Sequence, residues 1–485
     1  MADARYTVAV VTEDERPAAW QTRALDALLA LEGVRLGPRF AERPGGDVAG
    51  IERASGAELL LDLRESRARP LAGTGIACAW SFEHGSDPPG FLESRAGHGV
   101  TSARLVETVP SADRVGVLVE GTLRTRSSPS SNREALRAEC ARWPAQALRE
   151  RLAGLGPRRH DAPRTPTADP GAGPAEALGR LTRRLRRLAD RALRVDHWNV
   201  GLVDAPAFAF LDGPPPEVHW LPDPGPTRIQ ADPFGLVEDG AEWVVYEGLE
   251  ASEGRGYLAR RRVGPGPSFG EEEPLHAAPF HLSYPYLFEH GGRRYCVPET
   301  HEAGEIALYR LEEGSASLVR VATLVPDYPG IDATVLRHGD RWWCWATRRD
   351  DGHDLRLDLF HAEDPEGPWH PHARNPVKID VRSARGGGVP FVHDGELYRP
   401  GQDYSRKHEE RLTLNRVLAL SPTEYEEETI LTVDPLEEGP YPHKLHTLSA
   451  FGSRTLVDGA RQVGLWRHPR LAGFKLFRLW RRLSS

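Results

Sequence analysis

Five polar residues in the C-terminal part of the chain occupy the same place in a repeated pattern. Each stands where a short β-prone run begins, roughly 50 residues after the previous one, and they are Asp232, Tyr284, Asp332, Arg385 and His446. Glu299 ends an aromatic run in the second repeat. Glycosidic chemistry uses two carboxyl groups, because one donates a proton while the other activates water or attacks carbon. We therefore predict Asp232, Glu299 and Asp332 as catalytic residues.

A second set of polar residues is concentrated in the fourth repeat. Guanidinium groups suit carboxylates and phosphates, so the arginines indicate an acidic sugar, a nucleotide sugar or a phospholipid head group. The predicted partner is a sugar, nucleotide-sugar or glycolipid substrate. The predicted binding residues are Tyr284, His301, Arg382, Arg385, Arg399, Gln402, Asp403 and His446.

Each of these residues also has a structural interpretation. An aspartate before proline, as at Asp232, is common in turns. A salt bridge at the rim would explain Glu299, and a hydrogen-bonded structural histidine would explain His446. An arginine–aspartate network would explain the fourth repeat equally well. The residue types alone leave both interpretations open.

The repeats predict an architecture that brings these residues together. From Trp198 to about Gly459, each unit has a polar start, a strand, a Gly/Asp turn and an aromatic strand. Units of this length fit four-stranded propeller blades, whose innermost strands begin near a common axis. We predict a five-bladed β-propeller over residues 198–462, with residues 198–203 helping to close the ring. The glycines at 386–388 would permit close backbone approach near the axis, and a β-sandwich is the alternative fold.

The N-terminal part predicts a small α/β domain over residues 1–153. Strand-like runs at 5–12, 58–63 and 75–82 alternate with a helical pattern at 17–32, which indicates a parallel sheet. A further helix is expected at about 132–153. A Pro/Gly-rich linker follows over 154–175, and residues 176–197 predict a connecting helix or, alternatively, a helix that binds an anionic surface.

Composition places the chain among ordinary globular proteins. It has 485 residues, a formal charge of −8 and 39% hydrophobic residues, values that fit two or three domains. The four cysteines are scattered, which favours reduced thiols and a cytoplasmic location. We expect neither a signal peptide nor a transmembrane helix.

The C-terminal tail, residues 463–485, has its own character. From Leu465 onward it has six basic residues, no acid and several aromatic residues. This mixture is typical of a helix at an anionic membrane surface, which would make the protein membrane-peripheral. A helix docked on the propeller is the alternative.

Several function classes are not indicated by the sequence. It contains no C-x-x-C pair, no H-E-x-x-H, no Walker loop, no G-x-G-x-x-G after a strand and no nucleic-acid motif. We therefore expect no metal, no cofactor and no nucleic-acid partner.

The N-terminal domain resembles a degenerate formyltransferase-like domain of the fold seen in methionyl-tRNA formyltransferases. The resemblance rests on the first strand and helix and on FEHGSDPPGFLESRAGHGVTSARLVE at 82–107. His84 matches the histidine of the family's Asn-x-His motif, whereas Phe82 stands at the asparagine position. The resemblance implies the fold, and residual formyl or acyl transfer is one function hypothesis.

The propeller resembles the N-terminal region of plant glucosamine inositolphosphorylceramide transferases. The phrases that carry this resemblance are ADPFG, SYPYLFEH, PETHEAGEIALYR, RSAR, LYRPGQD and HTLSA. The repeat pattern is more distantly similar to that of the five-bladed furanosidases. Asp232 and Asp332 of this chain match the positions of the two axial aspartates of that family. That family's acid glutamate lies in the fourth blade, where this chain has Arg385, so either Glu299 replaces it or hydrolysis is lost.

Two main function hypotheses follow. The first is a carbohydrate-active enzyme that cleaves or transfers a glycosyl unit using the axial carboxylates. The second is a non-catalytic or tailoring protein that binds a glycan or lipid head group through the polar fourth repeat.

Overall fold

The computed structural model describes most of the chain between residues 6 and 464. The stretches outside the description within these limits are 42–56, 66–77, 110–113, 161–193, 214–216, 226, 251–252, 267, 313–316, 407–409 and 437. The chain forms two compact units, residues 1–180 and 181–485. Among the described residues, no helix has both the length and the apolar character needed to span a membrane.

The first unit is built on one mixed sheet. Its strands have the order β2-β1-β3-β4-β5-β6-β7, where β1 is Tyr6–Thr12, β2 Val34–Ala41, β3 Leu59–Asp62, β4 Ala79–His84, β5 Val100–Val109, β6 Arg114–Arg124 and β7 Arg159–His160. The prediction of a parallel sheet is correct only for β1 to β4. Strands β4 to β7 pair antiparallel, and the connection between β5 and β6 is too short for a parallel crossover.

Four helices accompany this sheet: α1 is Ala19–Leu29, α2 Phe91–Ala96, α3 Pro129–Cys140 and α4 Trp143–Leu152. Helix α1 lies within the predicted span and buries Trp20, Leu25 and Leu28. The helix predicted at 132–153 is two helices, because Pro144 stands in the first turn of α4. Proline lacks the N–H that a continuous helix would need there, and its ring would clash with the preceding turn.

The segment after α4 differs from the predicted linker and connecting helix. Residues 154–160 belong to the first unit, since β7 pairs with β6. Residues 161–193, which include most of both predicted segments, lie outside the described residues. Residues 194–197 form the start of a β-strand rather than the end of a helix. These residues form a strand because they hydrogen-bond to the C-terminal strand of the propeller.

The second unit is the predicted five-bladed β-propeller. Its first two strands are β8, Arg194–Val203, and β9, Val218–Trp220, with a short 3-10 helix at Ala207–Leu211 after β8. Blade 1 follows with β10 Arg228–Glu238, β11 Ala241–Glu250, β12 Gly256–Val263 and β13 Phe269–His276. Blade 2 has β14 Ser283–His290, β15 Arg293–Glu299, β16 Ile306–Leu311 and β17 Leu318–Val325.

The remaining blades follow in chain order. Blade 3 has β18 Gly330–His338, β19 Arg341–Arg348, β20 Arg356–Ala362, β21 His370–Pro371 and β22 Lys378–Ile379. Blade 4 has β23 Phe391–His393, β24 Glu396–Asp403, β25 Arg411–Leu420 and β26 Tyr425–Val433. Blade 5 combines β27 Leu448–Phe451 and β28 Arg454–Gly464 with β8 and β9. The prediction that residues 198–203 help to close the ring is confirmed, since β8 pairs with β28.

Apolar side chains between neighbouring blades form the propeller core. One cluster joins Phe234 of blade 1 to Tyr286 of blade 2 and Val335 of blade 3. Another joins Leu414 of blade 4 to Leu448 and Val203 of blade 5. Burial of these faces holds the blades around the axis, because each sheet covers the apolar face of the next.

The innermost strands of blades 1, 2 and 3 share one backbone irregularity. Asp232, Tyr284 and Asp332 have φ angles of 53°, 45° and 48°, and the strand register shifts at each of these positions. Non-glycine residues rarely adopt positive φ, and a bulge re-aims the side chain out of the ladder. The sequence repeat at these positions is therefore a repeated bulge.

In blade 4 a glycine segment replaces this bulge. Gly386 bridges to Gly401 of β24, and Gly388 has a φ of 125°. A Cβ atom at Gly386 would lie 2.7 Å from the carbonyl oxygen of Asp332, and one at Gly388 would lie 2.0 Å from that of Leu448. The prediction of close backbone approach at these glycines is thus confirmed.

Substitution of Gly388 by alanine is expected to destabilise the propeller strongly. Backbone strain and overpacking together should lower the free energy of unfolding by about 3 kcal/mol. Gly395→Ala is the matched control, since Gly395 also has a positive φ, 82°, but has open space around it; it should cost about 1 kcal/mol. Urea unfolding followed by tryptophan fluorescence measures both, and equal losses would contradict the predicted crowding at Gly388.

Candidate active site

Backbone N–H groups at the three bulges donate to carboxylates of the preceding blade. The N–H of Asp232 donates to Asp458 of blade 5 (3.2 Å), that of Tyr284 to Asp232 (3.3 Å), and that of Asp332 to Glu299 (3.4 Å). Each bulge frees an N–H from the strand ladder, and a buried N–H requires a partner. The carboxylates therefore link blade 5 to blade 1, blade 1 to blade 2, and blade 2 to blade 3.

His446 of blade 5 lies between two aspartates. Its Nε2 is 3.1 Å from Oδ1 of Asp232, and its Nδ1 is 2.8 Å from Oδ2 of Asp458. Burial disfavours the charged imidazole, but the two carboxylates outweigh this effect, so the pKa of His446 is raised well above its usual value. Thr447 adds a hydrogen bond from its hydroxyl to Oδ1 of Asp232. Asp232 is thereby held in one orientation at the axis.

The same three side chains form a group that could hold a cation. One ligand atom each of Asp232, His446 and Asp458 lies within 4.8 Å of the others. A metal ion needs the neutral imidazole, however, because the proton and the ion compete for the same lone pair. The raised pKa of His446 favours the imidazolium as the cation between the aspartates. A metal ion at this site would therefore have to displace the proton of His446.

Asp332 faces the polar groups of blade 4. Its Oδ2 accepts hydrogen bonds from Nε of Arg385 and from the amide of Gln402, the latter at 2.7 Å. The hydroxyl of Tyr404 donates to Gln402 and accepts from Arg385. Burial, with the negative charges of Glu299 and Asp232, raises the pKa of Asp332 to about 8 against the opposing effect of Arg385. Both described donors use Oδ2, so Oδ1 is the oxygen suited to carry a proton.

Glu299 lies beside two histidines. Its Oε1 is 2.6 Å from Nδ1 of His301, and the rings of His301 and His281 lie 6.1 Å apart. Burial opposes the charged carboxylate, but the hydrogen bond from His301 and the charge of Arg385 lower the pKa of Glu299 to about 2. Glu299 therefore retains its negative charge at neutral pH.

The structure brings most of the predicted site residues into one connected group. This group contains Asp232, Tyr284, Glu299, His301, Asp332, Arg385, Gln402 and His446. Thr334 connects its two parts, since its hydroxyl bonds to the hydroxyl of Tyr284 and donates to the backbone carbonyl of Asp332. Tyr284 contributes mainly by its backbone, because its fully buried hydroxyl bonds to Thr334 and to the backbone of Gly388.

Three predicted binding residues instead pair with other residues of the propeller. Arg399 is fully buried and forms two hydrogen bonds to Glu427 of β26. Arg382 pairs with Asp380, and Asp403 pairs with Arg411. The structural alternative, an arginine–aspartate network, describes these contacts well, although the network also includes a glutamate.

Sequence reasoning missed several members of the group. Asp458 is fully buried in the middle of β28 and also accepts the backbone N–H groups of His446 and Thr447. Its Asp-Gly sequence is typical of a turn, but the hairpin turn lies earlier, at Gly452. The spacing gave no signal for Tyr404 or His281, because the relevance of each depends on contacts with residues elsewhere in the sequence: Tyr404 contacts Arg385, and His281 contacts Gly256 and His301.

The raised pKa of Asp332 makes the stability of the propeller depend on pH. Between the ordinary aspartate pKa and about 8, the folded state keeps a proton that the unfolded state has lost. This group therefore lowers the free energy of unfolding as pH rises through the window, by up to about 1.4 kcal/mol per pH unit. Asp332→Asn, which cannot titrate, should gain stability relative to the wild type from pH 5 to pH 8 and show a constant difference above pH 8.

Urea unfolding at several pH values measures this dependence. Asp340→Asn serves as the control, because the Asp340 side chain is 89% exposed in a turn, and its difference from the wild type should stay near zero. A pH-independent difference for Asp332→Asn would mean that Asp332 is ionised throughout.

Comparison with known proteins places the second unit near one family. Residues 223–439, which include blades 1 to 4, match the family model described as glucosamine inositolphosphorylceramide transferase 1, N-terminal. The Arabidopsis thaliana protein of that name is 30% identical over 214 residues, covering 42% of this chain and 27% of the relative. The Oryza sativa subsp. japonica protein is 30% identical over 208 residues, covering 42% and 28%. The matched segment thus spans little more than a quarter of these relatives' length.

Glycoside hydrolases are among the solved structures that match part of this chain. A family 117 glycoside hydrolase from Zobellia galactanivorans matches with a TM-score of 0.35 and 12% identity, over 48% of this chain and 85% of that chain. The exo-β-1,3-galactanase 1,3Gal43A from Clostridium thermocellum matches with a TM-score of 0.34 and 11% identity, over 45% and 55%. The assignment of five blades itself comes from the strand pairing of this chain.

Proposed function

We propose that the propeller is a carbohydrate-active enzyme that cleaves or transfers a glycosyl unit at its axis. One observation carries this proposal: three buried acidic side chains from blades 1, 2 and 3 lie beside the bulges, and hydrogen bonds to different partners fix the orientation of each. Buried carboxyl groups with separated pKa values are the usual basis of acid–base assignments in such sites. Here the pKa of Glu299 is lowered to about 2 and that of Asp332 is raised to about 8.

Asp232 is the proposed base or nucleophile. Its Oδ1 faces His446 and Thr447, and its Oδ2 accepts the N–H of Tyr284. Glu299 is unsuited to donate a proton at neutral pH because it is already ionised. Its proposed role is electrostatic support of the site. Asp332 holds a proton and, in this proposal, limits the net negative charge at the axis.

A sugar-bearing lipid is the proposed substrate class. The plant relatives are named glucosamine inositolphosphorylceramide transferases. The family model of that name matches residues 223–439 of this chain, which lie in the propeller. The match covers about a quarter of each relative, so their complete reaction is not carried over. A free glycan and a nucleotide sugar are the other substrates to be tested.

Asp232→Asn should abolish turnover without loss of folding. The test incubates the full chain with 4-nitrophenyl glycosides of glucosamine, galactose, xylose and arabinofuranose, and with glucosamine-bearing glycolipid, and identifies products by mass spectrometry. We expect a rate loss of at least about 100-fold. Asp340→Asn is the matched control and should retain the wild-type rate. Unchanged turnover in Asp232→Asn would refute the proposed role of this residue.

Binding without catalysis is the second candidate function of the axis. One feature favours this function, because four polar side chains beside blade 4 hydrogen-bond to one another: Asp332, Arg385, Gln402 and Tyr404. The same glycosides would then bind in calorimetry and yield no product on long incubation. Loss of that binding in Arg385→Ala would place the ligand beside blade 4.

For the first unit we propose a formyltransferase-like origin with His84 as its remaining functional residue. Burial lowers the pKa of His84 to about 4, so its imidazole is neutral. Its ring stacks on Phe82 at 6.1 Å, and its buried Nδ1 has no hydrogen-bond partner among the described residues. A neutral imidazole at the end of β4 could act as a base.

The full-length protein should then bind 5-formyltetrahydrofolate, and His84→Ala should weaken this binding at least about tenfold in a calorimetric titration. His338→Ala, at an exposed position of the propeller, is the control. Absence of binding by the wild type would refute a folate site in this unit.

A further inference from the structure

The proposed reaction requires a group that holds a proton at neutral pH and can reach a substrate. Glu299, the residue selected by sequence, is only 6% exposed and has a pKa lowered to about 2. The pKa of Asp332 is raised, but its side chain is only 2% exposed. His446 has an aspartate beside each of its ring nitrogens. Each of these three side chains is therefore poorly placed to donate a proton to a substrate.

His301 has a different position. It begins a short 3-10 helix, His301–Ala303, directly after the strand that carries Glu299. Its side chain is 17% exposed, and its Nδ1 is 2.6 Å from Oε1 of Glu299. This contact fixes the ring and leaves Nε2 as the nitrogen directed away from Glu299. A carboxylate that orients an imidazole through one ring nitrogen also stabilises its charged form.

The ionisable groups closest to His301 carry either a negative charge or no charge. Glu299 is ionised and in direct contact with the ring. His281, the nearest histidine, accepts the N–H of Gly256 at Nδ1, and burial lowers its pKa. His281 is therefore neutral and does not repel an imidazolium at His301.

The other charged groups near this pair have defined partners. Glu247 lies 3.5 Å from Nε2 of His281. Glu302 accepts the backbone N–H of His281 and so ties the 3-10 helix to the preceding loop. Arg385 donates a hydrogen bond to Asp332, and Asp232 is paired with His446. The direct charge partner of His301 among the described residues is Glu299.

We propose that His301, oriented by Glu299, is the general acid of the axial site. This inference rests on the proposed glycosyl chemistry and assigns its proton-donating step. The Nε2–H of His301 protonates the glycosidic oxygen as the bond from this oxygen to the anomeric carbon breaks, and the bonding electrons stay on the oxygen. His301 is left as neutral imidazole. In hydrolysis, water adds to the anomeric carbon and gives its proton to Asp232. In this proposal the proton donor lies in blade 2. The presence of Arg385 in blade 4, where the furanosidases have their acid glutamate, therefore does not prevent the reaction.

The test compares two leaving groups on the sugar that the wild type turns over. A methyl glycoside needs protonation of its leaving oxygen, whereas a 2,4-dinitrophenyl glycoside does not. His301→Gln should lower kcat for the methyl glycoside by about 100-fold to 10,000-fold and should change kcat for the dinitrophenyl glycoside less than about tenfold. His338→Gln, at the exposed end of β18, should leave both rates unchanged.

Glu299→Gln separates orientation from proton donation. Histidine ¹⁵N NMR of the full chain should show Nδ1 of His301 protonated and hydrogen-bonded, and Glu299→Gln should weaken this hydrogen bond. A wild-type ring protonated only at Nε2 would overturn the pairing, whether or not turnover is found.

The kinetic outcomes distinguish this inference from the proposed function. Equal losses on both glycosides, or no loss on either, in an active wild type would overturn the role of His301 while the glycosyl chemistry stands. Absence of turnover by the wild type on every substrate would overturn both.

Discussion

The propeller depends on buried hydrogen bonds between bulged backbone N–H groups and the carboxylates of the preceding blade. Asp458, Asp232 and Glu299 accept the N–H groups of Asp232, Tyr284 and Asp332 in turn. Blade 4 joins the same ring through Arg385 and Gln402, which both donate to Asp332. A buried N–H without a partner would cost about 1–3 kcal/mol, so the carboxylates are structural as well as candidate catalytic groups.

This arrangement concentrates negative charge where burial penalises it. The molecule compensates with Arg385 beside Asp332, with a positively charged His446 between Asp232 and Asp458, and with a proton on Asp332. Burial of several carboxyl groups in one site forces their pKa values apart. The requirement to satisfy the bulges thus creates neighbouring acidic groups in different protonation states, which is the condition that acid–base chemistry needs.

Much of this arrangement could be predicted from the sequence because it repeats. Asp232, Tyr284 and Asp332 precede strands at a constant period, and the glycines at 386–388 mark the close approach of blade 4. The hydrogen-bond partners of the polar side chains could not be predicted, since they depend on contacts between strands that are separated in sequence. Arg399 hydrogen-bonds to Glu427 of its own blade. Asp458 was not predicted, because it belongs to an Asp-Gly pair, which is typical of turns, although it lies within a strand. In the first unit, β7 could not be predicted, because two residues are too few to show the alternation of apolar and polar residues that is typical of a strand.

The central claim is that the axial carboxyl groups act on a glycosidic bond. Incubation of the full chain with a glucosamine-bearing glycolipid in H₂¹⁸O, followed by mass spectrometry of the sugar products, tests it most directly. The account predicts either release of a sugar labelled with one ¹⁸O at its anomeric carbon or an unlabelled transfer product. Recovery of the intact glycolipid after saturating binding to the protein would contradict it.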